Sequence, residues 1–205
     1  MQARVKTVVA AVAGLGIASI VLGLWATRHS ASTDTKPPTS TTAAASESRE
    51  DAELRAQLVA HLERSPNDGR GWVLLARHDF DADRFDDAAK AYAQALAVDQ
   101  KVARDPAIWC EYADALGMTQ GSSLVGKPAE LIAHALTLDP NHPQALEMAG
   151  SAAFERGDPA AAVEHWRHLL AQLPPRSNDH AELAAAIANA EEKAGIRPPP
   201  KPAEK

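Results

Sequence analysis

A repeated pattern of aromatic and small residues constrains the fold of this chain more than any other feature. The first copy reads Trp72-x-x-Leu75-Ala76, then Ala88-x-x-x-Tyr92-x-x-Ala95-Leu96. The second begins with Trp109-x-x-Tyr112-Ala113, and the third with Leu146-x-x-Ala149-Gly150 followed by Ala162 and Trp166. A period near 34 residues with this spacing is typical of tetratricopeptide (TPR) units, each of which is a pair of antiparallel helices.

Packing explains the residue types in this pattern. Small residues such as Ala76 and Gly150 allow the paired helix to approach, while Trp and Tyr fill the space between successive pairs. A single hairpin leaves an apolar face uncovered, so neighbouring hairpins must stack. We therefore predict an all-α TPR superhelix over residues 50–195, with about three repeats, a leading helix from Glu50 to Arg64 and a capping helix from Asp179 to Ala194.

Two departures from the pattern are informative. Asp79 occupies the position that usually holds Tyr in the first unit. In the second unit the two helices are out of phase by about three residues relative to the repeat. The extra residues fall in Gly117 to Gly126, where Gly121, Ser122 and Ser123 predict a flexible loop.

The chain ends differ from the repeats. Residues 7–27 are uncharged and apolar, long enough to cross a bilayer, and follow a basic head, residues 1–6. These features predict a single-pass inner-membrane protein with a cytoplasmic head and a periplasmic C-terminal domain, although a cleaved signal peptide remains an alternative. Residues 28–49 read as a flexible linker, and the Pro-rich residues 196–205 as a disordered tail.

Composition excludes several classes of function. The single cysteine, Cys110, rules out an intrachain disulfide, a CxxC pair and a thiolate zinc site, and we interpret it as a small core residue. The formal net charge of -6 disfavours a nucleic-acid surface. No nucleophile motif, phosphate loop or HExxH motif is present, so we predict neither an enzyme nor a bound cofactor.

One pair of histidines leaves an alternative open. His165 and His168 are three residues apart on a predicted helix, which is a metal-ligand spacing. A third converging ligand is not evident, and two surface histidines flanking a packed Trp166 are the simpler interpretation. A metal- or haem-handling protein is therefore kept as an alternative.

The first helix of each TPR unit lines a concave wall that can hold a peptide or a helix. Helical spacing places nine residues, here called the groove face, on that wall: Arg70, Val73, Arg77, Phe80, Asp114, Gln144, Glu147, Ser151 and Phe154. Cys110 lies on the same helix as Asp114. Only Arg70 and Arg77 are cationic, so an amphipathic helix fits this wall better than a free carboxylate terminus.

Several segments together resemble the CcmI/CycH family of c-type cytochrome biogenesis proteins. They are Ser65–Arg77, the Gly-rich run from Gly121 to Leu131, Leu138–Leu146, Ala153–Asp158, Trp166 and Leu173-Pro-Pro175. The resemblance covers about residues 50 to 192. Fuller members are similar in the repeat domain and carry a second membrane span, whereas one candidate span is visible here.

This resemblance implies a specific role. Family membership implies a non-catalytic, membrane-anchored TPR chaperone that holds the C-terminal helix of apocytochrome c in its groove. It also implies delivery to the haem-ligation complex, whose other proteins carry out the thioester chemistry and are the further expected partners. The alternative within the same structural class is a general periplasmic adaptor in envelope assembly or secretion.

Overall fold

The computed structural model describes residues 40–196, which fold into nine helices and contain no strand. The helices are α1 (Ser40–Arg64), α2 (Gly69–Asp81), α3 (Phe85–Val98), α4 (Gln100–Ala103), α5 (Pro106–Thr119), α6 (Lys127–Leu138), α7 (Pro143–Glu155), α8 (Pro159–Leu170) and α9 (Asn178–Ala194). The prediction of an all-α fold is confirmed. None of these helices has the length and apolarity that crossing a bilayer requires. The predicted anchor, residues 7–27, and the tail beyond residue 196 lie outside the described residues.

Side-chain caps set most of the helix starts. Asp68, Asp105 and His142 each accept a hydrogen bond from a backbone N–H in the first turn of α2, α5 and α7, respectively. A proline follows the cap at Pro106 and Pro143, where its missing N–H costs nothing. These caps therefore fix the starts of α2, α5 and α7.

Three hairpins form the centre of the domain: α2 with α3, α5 with α6, and α7 with α8. Each packs on the next through α3 against α5 and α6 against α7. The small residues of the repeat are buried: Ala76 and Ala113 are fully inaccessible. A Cβ atom at Gly150 would overlap the indole of Trp166, so only glycine permits this approach of α8 to α7.

Flanking helices cover the two ends of this stack. The first, α1, packs on the core through Leu58, Val59 and Leu62, and α9 packs against α8. The leading helix begins at Ser40, ten residues before the predicted start at Glu50 and inside the predicted linker. The added turns contain three alanines and a glutamate, residues of high helix propensity that favour extension of the helix.

The insertion in the second unit is where the sequence predicts it. The turn between α5 and α6 spans residues 120–126. The sequence predicts a flexible loop here, but hydrogen bonds hold the turn in a defined conformation. The Gln120 side chain donates to the carbonyls of Ser123 (2.8 Å) and Val125 (3.0 Å). The Glu155 carboxylate of α7 accepts from the Leu124 N–H at 2.9 Å and from the Ser123 hydroxyl. These bonds tie the loop to the third unit.

A buried ion pair replaces the usual tyrosine in the first unit. The side chain of Asp79 is 1% exposed and accepts hydrogen bonds from Arg55 Nε at 2.6 Å and Arg84 Nε at 2.7 Å. Burial opposes ionisation of Asp79, but the two guanidinium groups outweigh it and hold the pKa of that carboxyl below its usual range. Because Arg55 lies in α1, this pair fastens the leading helix to the repeats.

We expect Asp79→Asn to lower the free energy of unfolding by about 3 kcal/mol at pH 7, because it leaves two guanidinium groups without a buried counter-charge. The measurement is urea denaturation followed by circular dichroism. The pKa of the Asp79 carboxyl is lower in the folded protein than in the unfolded chain, where it is near 4. Ionised Asp79 therefore stabilises the fold above about pH 4, and this stabilisation is lost as the pH falls through the pKa of the folded state. The difference in unfolding free energy between variant and wild type should therefore shrink below about pH 4.

The exposed neighbour Asp81 provides the control. Asp81→Asn should change the free energy of unfolding by less than about 0.5 kcal/mol. Equal losses in both variants would contradict a role for the buried pair.

Candidate binding groove

The nine residues of the groove face lie on α2, α5 and α7, the first helices of the three units. They differ in how much surface they present. Arg70, Gln144 and Glu147 are exposed, whereas Asp114, Ser151, Phe80 and Phe154 are partly buried. Val73 is 7% exposed and belongs to the hydrophobic core, so it offers almost no surface to a ligand.

The two phenylalanines of the groove face occupy equivalent positions at the ends of their helices. After Phe80, the N–H of Asp83 donates to the Phe80 carbonyl, and the N–H of Arg84 to the Asp79 carbonyl. The same two bonds follow Phe154, with Gly157 and Asp158 as donors. Asp83 and Gly157 both have positive φ, at 57° and 82°, which glycine adopts freely and aspartate tolerates. The first and third units therefore end α2 and α7 alike.

Aromatic and cationic neighbours hold these rings. Phe80 contacts Phe85 edge-on, with the ring centroids 5.2 Å apart. Phe154 lies 5.7 Å from Trp166 between ring centroids, and Lys193 Nζ of α9 is 4.2 Å from the Phe154 centroid. The C-terminal helix therefore contributes a cation to the edge of the groove face, which sequence reasoning did not identify.

Charge on the groove face is unevenly compensated. Arg77 is bound to Glu111 through two hydrogen bonds, Nε to Oε2 at 2.9 Å and Nη2 to Oε1 at 2.7 Å. Among the described residues, Asp114 and Glu147 have no ion pair or side-chain hydrogen bond. Burial, and secondly the negative charge of Glu111, raises the pKa of Asp114. Neighbouring groups partly desolvate the carboxylate of Glu147, although the residue as a whole is exposed, and this desolvation, with the charge of Asp179 second, raises its pKa. Two uncompensated carboxylates therefore lie on successive first helices.

Cys110 is a core residue, as the sequence predicts. It is fully buried, and burial together with nearby carboxylates raises the pKa of its thiol to about 12. Its Sγ lies 4.0 Å from Nδ1 of His142. A thiol with this pKa stays protonated at neutral pH, so Cys110 is a poor nucleophile and metal ligand.

The two histidines of the metal hypothesis have separate surroundings. His168 Nε2 is 2.8 Å from the Asn141 side-chain oxygen. His165 lines a cleft of about 130 Å³ between α6, α7 and α8, together with Ile132 and Leu136. Burial lowers the pKa of His165. Within residues 40–196, no group of three or more His, Cys, Asp or Glu side chains could hold a metal ion.

Sequence reasoning missed Glu111, which pairs with Arg77 and also accepts a hydrogen bond from the Tyr92 hydroxyl at 3.0 Å. A signal was present, because Arg77 and Glu111 carry opposite charges 34 residues apart, one repeat period. The Asp79 pair and the Glu155 contacts to the loop have no such signature, because their spacing depends on turn lengths.

The helices, their pairing and the face they present define a TPR-type helical-repeat scaffold. Solved structures support this class: the crystal structure of MamA superposes with a TM-score of 0.61 at 15% identity, covering 74% of this chain and 82% of that one. This similarity shows the fold.

Sequence comparisons identify the family. The profile described as "Cytochrome c-type biogenesis protein H TPR domain" matches residues 38–180. The cytochrome c-type biogenesis protein CycH of Pseudomonas aeruginosa is 29% identical over 150 residues, 72% of this chain and 36% of that protein. CycH of Rhizobium meliloti is 33% identical over 142 residues, 66% of this chain and 36% of that protein. The chain belongs to this TPR family of cytochrome c-type biogenesis proteins, and it spans about a third of the length of these curated relatives.

We expect Asp114→Asn and Glu147→Gln to leave the melting temperature at pH 7 equal to or above that of the wild type. Each folded-state pKa is raised, so the ionised form disfavours the fold, and a neutral side chain of the same shape removes that cost. The protonated carboxyls do not oppose folding at acid pH. The free energy of unfolding therefore falls as the pH rises through the pKa values that these carboxyls have in the folded state. Calorimetry at pH 4 and pH 7 tests this. A lower melting temperature for both variants at pH 7 would show that the carboxylates have stabilising partners.

Proposed function

We propose that this protein is a non-catalytic TPR chaperone of c-type cytochrome maturation. It holds the C-terminal helix of apocytochrome c against the groove face and passes it to the proteins of the haem-ligation complex. Residues 7–27 anchor it in the bacterial inner membrane, with the repeat domain in the periplasm. The family assignment supports the pathway, and the helical-repeat scaffold supports a binding role.

The observation that carries the binding role is the pair of uncompensated carboxylates, Asp114 and Glu147. Carboxylates with raised pKa values and no counter-charges disfavour the fold when they are ionised, and such costs are typical of functional surfaces. A bound polypeptide that brings Lys or Arg side chains would remove this cost. The ligand is therefore an amphipathic helix whose apolar side meets Phe80 and Phe154 and whose cations meet the carboxylates.

The pairing of Arg77 with Glu111 favours a helix, and not a free terminal carboxylate, as the ligand of the groove face. Arg77 already has a bidentate carboxylate partner in Glu111, so a ligand carboxylate would have to displace an existing ion pair. Arg70 is then the one groove-face cation among the described residues that lacks a carboxylate contact. Lys193, at the edge of the groove face, belongs to the capping helix α9, and two cations on the first unit and on the capping helix are a weak clamp for one chain terminus.

We expect Phe80→Ala and Phe154→Ala each to weaken binding about tenfold, because each removes a large apolar contact worth more than about 1 kcal/mol. The measurement is fluorescence anisotropy of a labelled peptide matching the C-terminal helix of a c-type apocytochrome, with the full chain in detergent. Leu138→Ala is the matched control, because Leu138 is exposed on α6, a second helix; it should bind like the wild type.

The same assay distinguishes the alternatives. A scrambled peptide of equal composition should bind at least ten times more weakly than the native helix. Equal binding of scrambled and unrelated envelope-protein peptides would favour a general periplasmic adaptor over a cytochrome chaperone. Failure of every peptide to bind would contradict the binding role itself.

Charge gives an independent test of the ligand's chemistry. Asp114→Asn and Glu147→Gln should each weaken peptide binding about threefold to tenfold and reduce its dependence on salt, because a screened ion pair is lost. Gln144→Ala, an exposed neutral residue on the same face, should leave the salt dependence unchanged. Unchanged salt dependence in the carboxylate variants would show that the ligand contacts neither residue with a cation.

A further inference from the structure

The junction between the first and second units contains a polar contact at its solvent-facing side. Arg77 in α2 and Glu111 in α5 form a bidentate ion pair, and the hydroxyl of Tyr92 in α3 donates to the same carboxylate at 3.0 Å. One carboxylate therefore contacts both helices of the preceding unit. These three residues are called the junction triad below.

The junction triad reaches from the core to the surface. Tyr92 is 2% exposed and its ring belongs to the hydrophobic core of the first unit. The side chain of Glu111 is 25% exposed and that of Arg77 is 52% exposed. Because a buried ring orients the hydroxyl and a bidentate pair restricts the guanidinium, Glu111 has one well-defined position relative to the first unit.

The next junction has no such contact, although its residues correspond. Asp114 occupies the place of Arg77 in the second unit, and Met148 occupies the place of Glu111 in the third. Ile132 stands where Tyr92 would be. Met148 packs against the apolar cluster of Ala113, Leu131 and Ile132, so the second junction is held by hydrophobic contact.

The two junctions also differ in how closely the first helices of neighbouring units approach each other. At the second junction, α5 packs directly against α7. At the first, α2 and α5 approach only sparsely, and the short helix α4 lengthens the connection between the units. The Arg77–Glu111 pair joins these two helices through two long side chains, in addition to the packing of α3 against α5.

We propose that the junction triad is a positioning device that sets the angle between the first two units and, through it, the opening between α2 and α5. The consequence for ligand affinity rests on the proposed groove; the geometric role does not. Glu111 is the central positioning residue, since it is the member that contacts both others.

The test measures the angle as a distance between spin labels. Gln94→Cys on α3 and Glu164→Cys on α8 place labels at exposed sites in the first and third units. Cys110 does not compete for the label because it is fully buried. Glu111→Gln is the main variant, since its amide oxygen still accepts from Tyr92 while the charge opposite Arg77 is lost.

We expect Glu111→Gln to broaden the label distance distribution or shift its centre by at least about 3 Å, with a melting temperature within about 4 °C of the wild type, because partly exposed ion pairs contribute little to stability. Salt at 1 M should move the wild type toward the variant and leave the variant unchanged. The charge-swapped double variant Arg77→Glu, Glu111→Arg should restore the wild-type distances.

The control is Glu130→Ala, which removes an exposed pair with Lys127 inside one helix and should change nothing. Identical distances in Glu111→Gln and wild type would overturn the positioning role. Peptide affinity separates the two proposals: about a fivefold loss in Glu111→Gln supports the link to the groove. Shifted distances with unchanged affinity would overturn that link. If no peptide binds the wild type, the proposed function fails and the distances alone decide the positioning role.

Discussion

The structure depends on the close approach of paired helices, and this approach depends on residues with almost no side chain. At Gly150 the indole of Trp166 occupies the space that a Cβ would need. Ala76, Ala113 and Ala135 are fully buried at the other helix contacts. Hairpins packed in this way still expose an apolar side, and only the next hairpin covers it. Stacking is therefore required for burial, and a continuous face along the first helices results from it.

Polar groups then decide how the stacked units are arranged. Three carboxylates of the described residues each join elements that are far apart in the sequence. Asp79 fastens α1, Glu111 bridges the first two units, and Glu155 holds the inserted loop. Apolar contacts adapt to small rotations, whereas a bidentate pair or a buried ion pair has one good geometry. The carboxylates therefore contribute orientation more than net stability.

The groove face shows the contrast between compensated and uncompensated charge. Arg77 is fully engaged by Glu111, whereas Asp114, its counterpart in the next unit, has no ion pair or side-chain hydrogen bond among the described residues. The repeat thus presents the same position in two chemical states. The first state serves the architecture, and we propose that the second meets a ligand. This difference is the reason for proposing a cation-bearing helix as the bound polypeptide.

Sequence periodicity was sufficient for the hairpins, their approximate bounds and the position of the insertion, because each depends on local spacing. It was also sufficient to place Cys110 in the core and to suggest the family. It failed for the start of α1, because alanine-rich turns carry no apolar stripe. It also placed Val73 on the groove face, although that side chain is buried in the core. Only the tertiary structure decided which charges are paired. Arg55 and Asp79 meet across helices whose separation is set by packing and not by the chain, and the repeat period between Arg77 and Glu111 indicates that these residues can meet without establishing the pair.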